Sequence, residues 1–350
     1  MRKVNRYVGP VALVVAALTL AAACGSSSKT AANNSKSDTV TLRLGYLPNV
    51  THAPAIIGLQ NKTFENDLGS GVDLKTSTYN SGTEETTAIL AGSLDAAFVG
   101  PNPAINAYQK SGGTAVRIVS GVASGGAFLV VKPSITSAAQ LKGKKLATPS
   151  LGNTQDVALR SWLESKGYKT TTEGGGDVQV VPQDNSETVT AFQTGAIDGA
   201  WVPEPYATKL EGEGGKVLVD ESTLWPGGKF VTTNLVVTTK FLSAHPDIVT
   251  NLLKGLSSSI DLVTSNPTQA EDLVSKGVEQ ATGKALKTSL VASAFKSITF
   301  TLDPIASSLK KDAASAKTLG FIKSTDLKDL YDLSLVNKLL QSQGKPAVTS

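Results

Sequence analysis

The segment GAIDGAWVPEPYA at residues 195–207 repeats the pattern of an earlier segment, GSLDAAFVGPNPA at residues 92–104. Each begins with glycine, reaches an aspartate after two residues, and continues through small residues and an aromatic residue to a Pro-x-Pro. The two aspartates, Asp95 and Asp198, are 103 residues apart. A repeat at this separation predicts two similarly built lobes, each of which uses the segment once.

The residues around both copies alternate between strand-like and helix-like stretches, from 39 to 110 and again from 141 to 212. Such alternation predicts βαβ units and hence an α/β fold. Within each copy we expect the glycine to end a helix and the aspartate to begin a strand. We expect the prolines to open the next helix at the carboxyl end of that strand. Ligands of open α/β sheets bind just beyond these ends, so two facing lobes would form a cleft.

Two extended stretches predict the connections between the lobes, because each joins one α/β region to another. The chain is expected to cross at Gly125-Gly126 and to return near Thr233. We therefore assign 39–125 and 234–350 to lobe one, and 126–233 to lobe two. Four amphipathic helices are predicted to pack around lobe one, at 248–263, 269–281, 304–320 and 326–340.

The N-terminus has the pattern of a targeting signal. Arg2, Lys3 and Arg6 precede a 16-residue apolar stretch at 8–23, which is shorter than the roughly 20 residues of a membrane span. We predict a signal peptide at 1–23. Cys24 follows small residues in a pattern that resembles a bacterial lipobox, which predicts a lipidated anchor on the outer face of the cell membrane. The alternative is an ordinary cleaved signal beside an incidental thiol. The polar residues 24–38 predict a flexible tether.

Composition and motifs argue against several classes of function. Without the three basic signal residues the chain has 30 basic and 29 acidic residues, a net charge of +1, so no nucleic-acid partner is expected. It lacks GxSxG, HExxH and a complete P-loop, and a single cysteine excludes a CxxC metal site. We therefore predict that the protein is not an enzyme and uses no metal or cofactor.

Several segments resemble the solute-binding proteins of ABC importers: GYLPNVTHAPA, SGGAFLVV, LKGKKLATP, LGNTQDVALRSWL and the paired repeat. The resemblance runs from Thr41 to about Phe241 and is to the family that includes aliphatic-sulfonate, taurine and nitrate binders, with the sulfonate branch most similar. It implies a type II periplasmic-binding-protein-like fold, in which two lobes, each a mixed sheet flanked by helices, are joined by two hinge strands. It also implies a monomer that captures a small organic anion, an aliphatic sulfonate, and delivers it to an ABC permease. The alternatives are nitrate, bicarbonate or a thiamine-precursor-like pyrimidine as ligand, or a secreted enzyme on the same fold.

The loops after the predicted strands offer amide, hydroxyl and backbone N–H donors, and several precede helix N-termini, which favour anions. A sulfonate, with three weakly basic oxygens, suits such neutral donors. The predicted ligand-binding residues are Asn49, Thr51, His52, Ser81, Gly82, Thr83, Asn102, Ser124, Gly152, Asn153, Thr154, Gln155, Trp201 and Glu204.

Some of these residues have a second interpretation. Asn153 and Thr154 serve either the ligand or the cap of their helix. Trp201 is predicted to wall the ligand's carbon tail, although core packing is the usual role of such an aromatic. Glu204 either caps a helix or accepts a hydrogen bond from an amino-bearing ligand. If His52 contacts the ligand, affinity should rise as the pH falls through its ordinary pKa of about 6.5.

Overall fold

The strands of the protein form two sheets, one of six strands and one of five, in a computed structural model that describes residues 39–350. The predicted signal peptide, Cys24 and the tether lie outside the described residues. In chain order the strands are β1 (Val40–Tyr46), β2 (Val72–Thr78), β3 (Ala96–Val99), β4 (Val116–Gly125), β5 (Ala127–Val131), β6 (Lys145–Thr148), β7 (Gln179–Pro182), β8 (Gly199–Pro203), β9 (Lys216–Asp220), β10 (Val231–Thr238) and β11 (Ile298–Phe300).

Each sheet contains parallel and antiparallel strands, which confirms the predicted mixed architecture. The first sheet has the order β11-β4-β10-β3-β1-β2, and the second has the order β7-β6-β8-β5-β9. In the first, β10 is antiparallel to both of its neighbours, and in the second the same is true of β5. In each sheet, the strand that the chain enters on arriving from the other sheet therefore runs opposite to both of its neighbours. We call each sheet with its flanking helices a lobe.

The two connections between the sheets differ in form. At the first, Gly125 and Gly126 join β4 to β5, with φ angles of 84° and 71° that favour glycine. A Cβ on Gly125 would also lie 2.5 Å from the carbonyl oxygen of Ser297. The second connection, between β9 and β10, is a looped segment that includes two short 3₁₀ turns, Glu221–Leu224 and Pro226–Gly228. The return strand β10 begins at Val231, ahead of the expected return at 234.

Helices cover the faces of both sheets. In residues 39–350 they are α1 (Ala53–Gln60), α2 (Thr63–Leu68), α3 (Gly82–Leu90), α4 (Pro101–Lys110), α5 (Thr154–Ser165), α6 (Asn185–Gln193), α7 (Tyr206–Gly212), α8 (Thr239–Ala244), α9 (Pro246–Ser265), α10 (Pro267–Thr282), α11 (Thr288–Phe295), α12 (Ala306–Thr318) and α13 (Ser334–Ser342). In this part of the chain no helix is both long enough and apolar enough to cross a membrane.

The repeated segment has the same structural role in both lobes. Gly92 and Gly195 follow α3 and α6 with φ angles of 74° and 77°. Asp95 accepts a hydrogen bond from the backbone N–H of Arg43 at 2.9 Å, and Asp198 accepts one from that of Lys145, also at 2.9 Å. Each aspartate thus ties its strand to the neighbouring parallel strand, β1 in the first lobe and β6 in the second, a structural role rather than an acid–base one.

The second copy departs from the prediction after its strand. The helix that was expected at the Pro-x-Pro begins only at Tyr206, because β8 continues to Pro203. In the first copy, by contrast, α4 begins at Pro101.

One of the helix-like stretches in the first α/β region, residues 53–64, forms two helices, α1 and α2, rather than a single one. Lys62 lies between them with a φ of 57°, in the left-handed region that a continuous helix cannot include. The break lets Phe64 pack against Gly58, where a Cβ would come within 2.5 Å of its ring.

The predicted helix at 326–340 is wrong for its first half. Residues 326–333 contain a turn at 328–329 and a single parallel bridge from Tyr331 to Ile118 of β4, and only α13 is helical. The N–H of Ile118 donates to the carbonyl of Leu330, and the N–H of Asp332 donates to the carbonyl of Ile118. The open edge of β4 therefore gains hydrogen bonds that an amphipathic helix could not supply.

Helix α12, which is predicted to pack around lobe one, also packs against the second lobe. Leu309, Ala313 and Ala316 of this helix share a buried apolar cluster with Val157 of α5, which belongs to the second lobe. Ser315 and Ser161 approach to 3.2 Å between their hydroxyl oxygens. Helix α12 therefore contacts both lobes.

Candidate functional site

A small cavity lies between the two lobes, at the carboxyl ends of their parallel strands. Its volume is about 30 Å³, roughly the space of two water molecules. Its lining contains no lysine, arginine, aspartate or glutamate. The lining residues are Leu47, Asn49, Thr51, His52, Asn80, Ser81, Gly82, Gly100, Pro103, Pro149, Asn153, Thr154, Gln155, Asn185, Pro203 and Thr232.

Four helices begin at this cavity, two from each lobe. Ser81 and Gly100 are the N-cap residues of α3 and α4, Asn153 is that of α5, and Asn185 is the first residue of α6. The first N–H groups of a helix have no partner within it, and the helix dipole makes this end positive. The convergence of four such ends, without a charged side chain, makes the cavity attractive to an anion.

The loop before α5 is held by a buried carboxylate. Asp156 accepts hydrogen bonds from the hydroxyl of Thr148 at 2.8 Å and from the N–H of Gly152 at 2.9 Å, and it pairs with Arg160 at 2.9 Å. Asn153 accepts from the N–H of Asp156 at 2.9 Å, so its cap role is realised. Its own amide donates to Oε1 of Gln155 at 3.2 Å, which leaves the Gln155 N–H groups for a ligand.

His52 is almost fully buried in the wall of the cavity, with 3% of its surface exposed. Its Nδ1 accepts a hydrogen bond from the N–H of Leu47 at 3.3 Å, so the proton of the neutral ring lies on Nε2. Burial lowers the pKa of His52 from 6.5 to about 3. The ring is therefore a neutral N–H donor near pH 7, and the expected gain in affinity near pH 6.5 is wrong.

The lobes meet around the cavity. The hydroxyl oxygens of Thr83 and Ser150, from opposite lobes, are 3.1 Å apart. A Cβ on Gly100 would lie 2.5 Å from Oγ1 of Thr154, so the missing side chain admits the second lobe. Loops from both lobes thus contact each other around the same small space.

Eight of the predicted ligand-binding residues lie together in the lining: Asn49, Thr51, His52, Ser81, Gly82, Asn153, Thr154 and Gln155. Six do not. Thr83 takes part in the interlobe contact above, and Ser124 lies within β4, opposite Val231 and Thr299. Gly152, with a φ of 70°, packs beside Phe321 and accepts a hydrogen bond from the Asn106 amide at 3.4 Å.

Asn102, in the first turn of α4, is fully buried just outside the lining. Its amide has no hydrogen-bond partner among the described residues.

Trp201 does not line the cavity. Its side chain is fully buried in the core of the second lobe, where it packs edge-on against Trp162 at 5.9 Å between ring centroids. Its Nε1 donates to Oε2 of Glu221 at 2.7 Å. Trp201 lies within β8 and packs into the core, whereas the cavity lies beyond the end of this strand, where Pro203 lines it.

Glu204 caps α7. Its two carboxylate oxygens accept from the N–H of Thr208 at 3.1 Å and from the Thr208 hydroxyl at 2.9 Å. Burial raises the pKa of Glu204, whereas the hydrogen bonds from Thr208 lower it. The cap interpretation is therefore the one that the geometry favours.

Three polar lining residues escaped the sequence analysis: Asn80, Asn185 and Thr232. Asn185 follows β7 in the second lobe, as Ser81 follows β2 in the first. The internal repeat therefore indicated Asn185 as a candidate site residue. Thr232 lies on β10, a strand rather than a loop, and no local pattern distinguishes it.

A family model described as the NMT1-like family matches residues 35–276, more than half of the chain. The chain belongs to the NMT1-like family. Two relatives of this NMT1-like protein agree with the resemblance found in the sequence. The taurine-binding periplasmic protein of Escherichia coli (strain K12) is 28% identical over 214 residues, 61% of this chain and 64% of that one. The putative aliphatic sulfonates-binding protein of Bacillus subtilis (strain 168) is 25% identical over 344 residues, 94% of this chain and 96% of that one.

The fold of the NMT1-like protein is similar to that of a solved alkanesulfonate-binding protein, SsuA from Xanthomonas axonopodis pv. citri bound to MOPS. The TM-score is 0.68 at 17% identity, over 82% of this chain and 96% of that one. This similarity confirms the periplasmic-binding-protein fold. Both relatives are named as binding proteins, which agrees with the expectation of a solute-binding protein rather than an enzyme.

Proposed function

We propose that this protein captures a small organic anion, an aliphatic sulfonate, between its lobes and delivers it to an ABC permease. The anion head would occupy the cavity, held by neutral donors such as His52 Nε2–H, the Gln155 amide and the N–H groups of Gly82 and Thr154. We further propose that Cys24 carries the lipid that anchors the protein on the outer face of the membrane, and that the protein acts as a monomer.

The observation that carries this proposal is the convergence of four helix N-termini on a cavity without charged side chains. A sulfonate keeps its charge at all ordinary pH values and spreads it over three oxygens, each a hydrogen-bond acceptor. Backbone N–H groups and neutral side chains satisfy these oxygens without a counter-ion. The relatives named for taurine and for aliphatic sulfonates support the same ligand class.

The alternatives find less support in the lining. A thiamine-precursor-like pyrimidine would need a flat apolar or aromatic surface, and among the lining residues only His52 has an aromatic ring. Nitrate and bicarbonate fit the small cavity, but neither has a carbon chain to occupy the groove outside it. They are therefore the comparison ligands for the experiment.

Thermal unfolding with 1-propanesulfonate, nitrate, bicarbonate and a hydroxymethylpyrimidine tests the proposal. Ligand at a hundredfold its dissociation constant stabilises the native state by about 2.7 kcal/mol, which raises the Tm by several degrees. We expect this rise with the sulfonate, about a tenfold loss of affinity in Gln155→Ala, and no loss in Gln341→Ala on the surface of α13. A rise with the pyrimidine or nitrate and none with the sulfonate would overturn the proposed ligand.

A further inference from the structure

A groove of about 810 Å³ leads outward from the cavity and shares Leu47, Asn49, Asn80 and Asn185 with it. Its walls come from both lobes: α6 and α7 on one side, and the end of α10 with the start of α11 on the other. The cavity holds only a small head group, so the rest of a larger ligand must extend into this groove.

The groove is partly apolar and aromatic. Tyr79 of the first lobe and Tyr206 of the second contribute rings, and Val278 and Leu286 contribute aliphatic side chains. A short methylene chain therefore finds apolar contacts as soon as it leaves the cavity.

Lysines from opposite lobes also line this groove, Lys209 on one side and Lys284 and Lys287 on the other. Lys209 belongs to α7 and Lys284 to the loop between α10 and α11. Lys209 is half-buried, and its Nζ lies 4.8 Å from the centroid of the Tyr206 ring. Burial, and then the positive charge of Lys284, lower the pKa of Lys209. The ammonium groups of Lys209 and Lys284 therefore repel each other.

No acidic side chain of residues 39–350 neutralises either lysine within 4.0 Å. Asp184 and Glu213 line the same groove, but the charge of Asp184 acts on Tyr206, whose pKa is raised by burial and by that carboxylate. Lys209 and Lys284 therefore share the groove without a salt-bridge partner in this part of the chain.

We infer that the ligand is a two-ended anion, whose second acidic group lies in the groove between Lys209 and Lys284. This inference rests on the proposed function and narrows it to sulfonates with a distal acidic group, such as ω-sulfocarboxylates. The second anion would replace a repulsion between the lobes by two attractions. A ligand with a distal ammonium group, such as taurine, would instead add a third positive charge.

The test compares matched ligands on the full chain by titration calorimetry. ω-Sulfocarboxylates with two to five methylene groups are paired with alkanesulfonates and ω-aminoalkanesulfonates of equal length. We expect at least one sulfocarboxylate to bind about tenfold more tightly than its alkanesulfonate, and the amino compound to bind more weakly than both. The preference should decrease as salt concentration rises.

The variants Lys209→Gln and Lys284→Gln give effects of opposite sign that a general structural defect cannot produce. Each should weaken sulfocarboxylate binding several-fold and tighten alkanesulfonate binding, because removing one ammonium group also removes the repulsion. Lys338→Gln, on the exposed surface of α13, should leave all the ratios unchanged. If no sulfocarboxylate binds more tightly than its alkanesulfonate, the second anion site is overturned and the sulfonate proposal stands. If no sulfonate binds at all, both are overturned.

Discussion

The backbone N–H of Leu47 donates to Nδ1 of His52 at 3.3 Å, and this contact fixes the chemistry that His52 presents to the cavity. Because Nδ1 already accepts this hydrogen bond, the ring can offer the cavity only its Nε2–H. A protonated ring could not accept the Leu47 hydrogen bond, which, together with burial, disfavours the charged form.

Ligand affinity should therefore be independent of pH between about 5 and 8, because His52 with a pKa of about 3 stays neutral and a sulfonate stays charged. His52→Asn keeps an acceptor near Leu47 but loses the distal donor, and should weaken sulfonate binding about tenfold. His52→Gln, which places an N–H near the Nε2 position, should retain more affinity than the Asn variant. Calorimetric titrations at several pH values would show a rise in affinity below pH 6.5 if this account were wrong.

The same histidine should make the fold sensitive to acid. Because its folded pKa is depressed, the unfolded chain takes up the proton first, so the stability that His52 contributes is present above about pH 6.5 and lost as the pH falls toward 3. At pH 4.5 the loss should be about 2–3 kcal/mol. Urea unfolding of the wild type and of His52→Gln at pH 7 and pH 4.5 measures this loss, because the variant should lose less stability on acidification. Equal losses in the two proteins would contradict the prediction.

Glu221 should make the free energy of unfolding depend on pH in the opposite direction. Burial raises its pKa to about 7, although the hydrogen bond from Trp201 lowers it. A raised carboxyl pKa contributes stability below about pH 4.5 that is lost as the pH rises through 7. Glu221→Gln keeps an acceptor for Trp201. As the pH rises from 5 to 8, its free energy of unfolding should therefore increase by about 3 kcal/mol relative to that of the wild type. The exposed Glu213→Gln provides the control, and parallel pH profiles for wild type and Glu221→Gln would refute the assignment.

Gly100 should govern closure of the lobes. In Gly100→Ala the new methyl group meets Oγ1 of Thr154 at 2.5 Å, a clash between lobes rather than within one. We expect sulfonate binding to weaken by about tenfold or more, with little change in the Tm of the ligand-free protein. Gly71→Ala, whose Cβ has no atom within 4 Å, is the matched control.

Small-angle scattering extends the test of closure. The radius of gyration of the wild type should fall when sulfonate saturates it, and that of Gly100→Ala should fall less. An unchanged wild-type radius, with binding measured separately, would argue against closure.

A lipid on Cys24 should decide whether the protein partitions into a detergent phase or an aqueous phase. If Cys24 carries a diacylglycerol, the wild type should enter the detergent phase on phase separation, and Cys24→Ser should remain as precursor or appear in the medium. Wild-type protein found entirely in the aqueous phase would end the lipid-anchor proposal.

The internal repeat made much of this architecture predictable. It located two βαβ regions, and the strand-end loops within them supplied eight of the lining residues. What failed depended on distant contacts. Residues 326–333 have a helical pattern but complete the edge of β4, and the position of Trp201 in its strand does not reveal which face of the sheet is the core. Thr232 reaches the cavity only because β10 lies between β3 and β4.

The chain crosses to the second sheet at β5 and returns to the first at β10, and this connectivity imposes an order in which the two sheets assemble. The second sheet consists of strands that lie together in the chain, from β5 to β9, whereas the first needs strands made both before and after them. When a nascent chain has emerged as far as Asp220, every strand of the second sheet is present, but β3 and β4 still flank an empty position. The half of the molecule that is synthesised first is therefore finished last, when β10 inserts between β3 and β4 and β11 pairs with the other edge of β4.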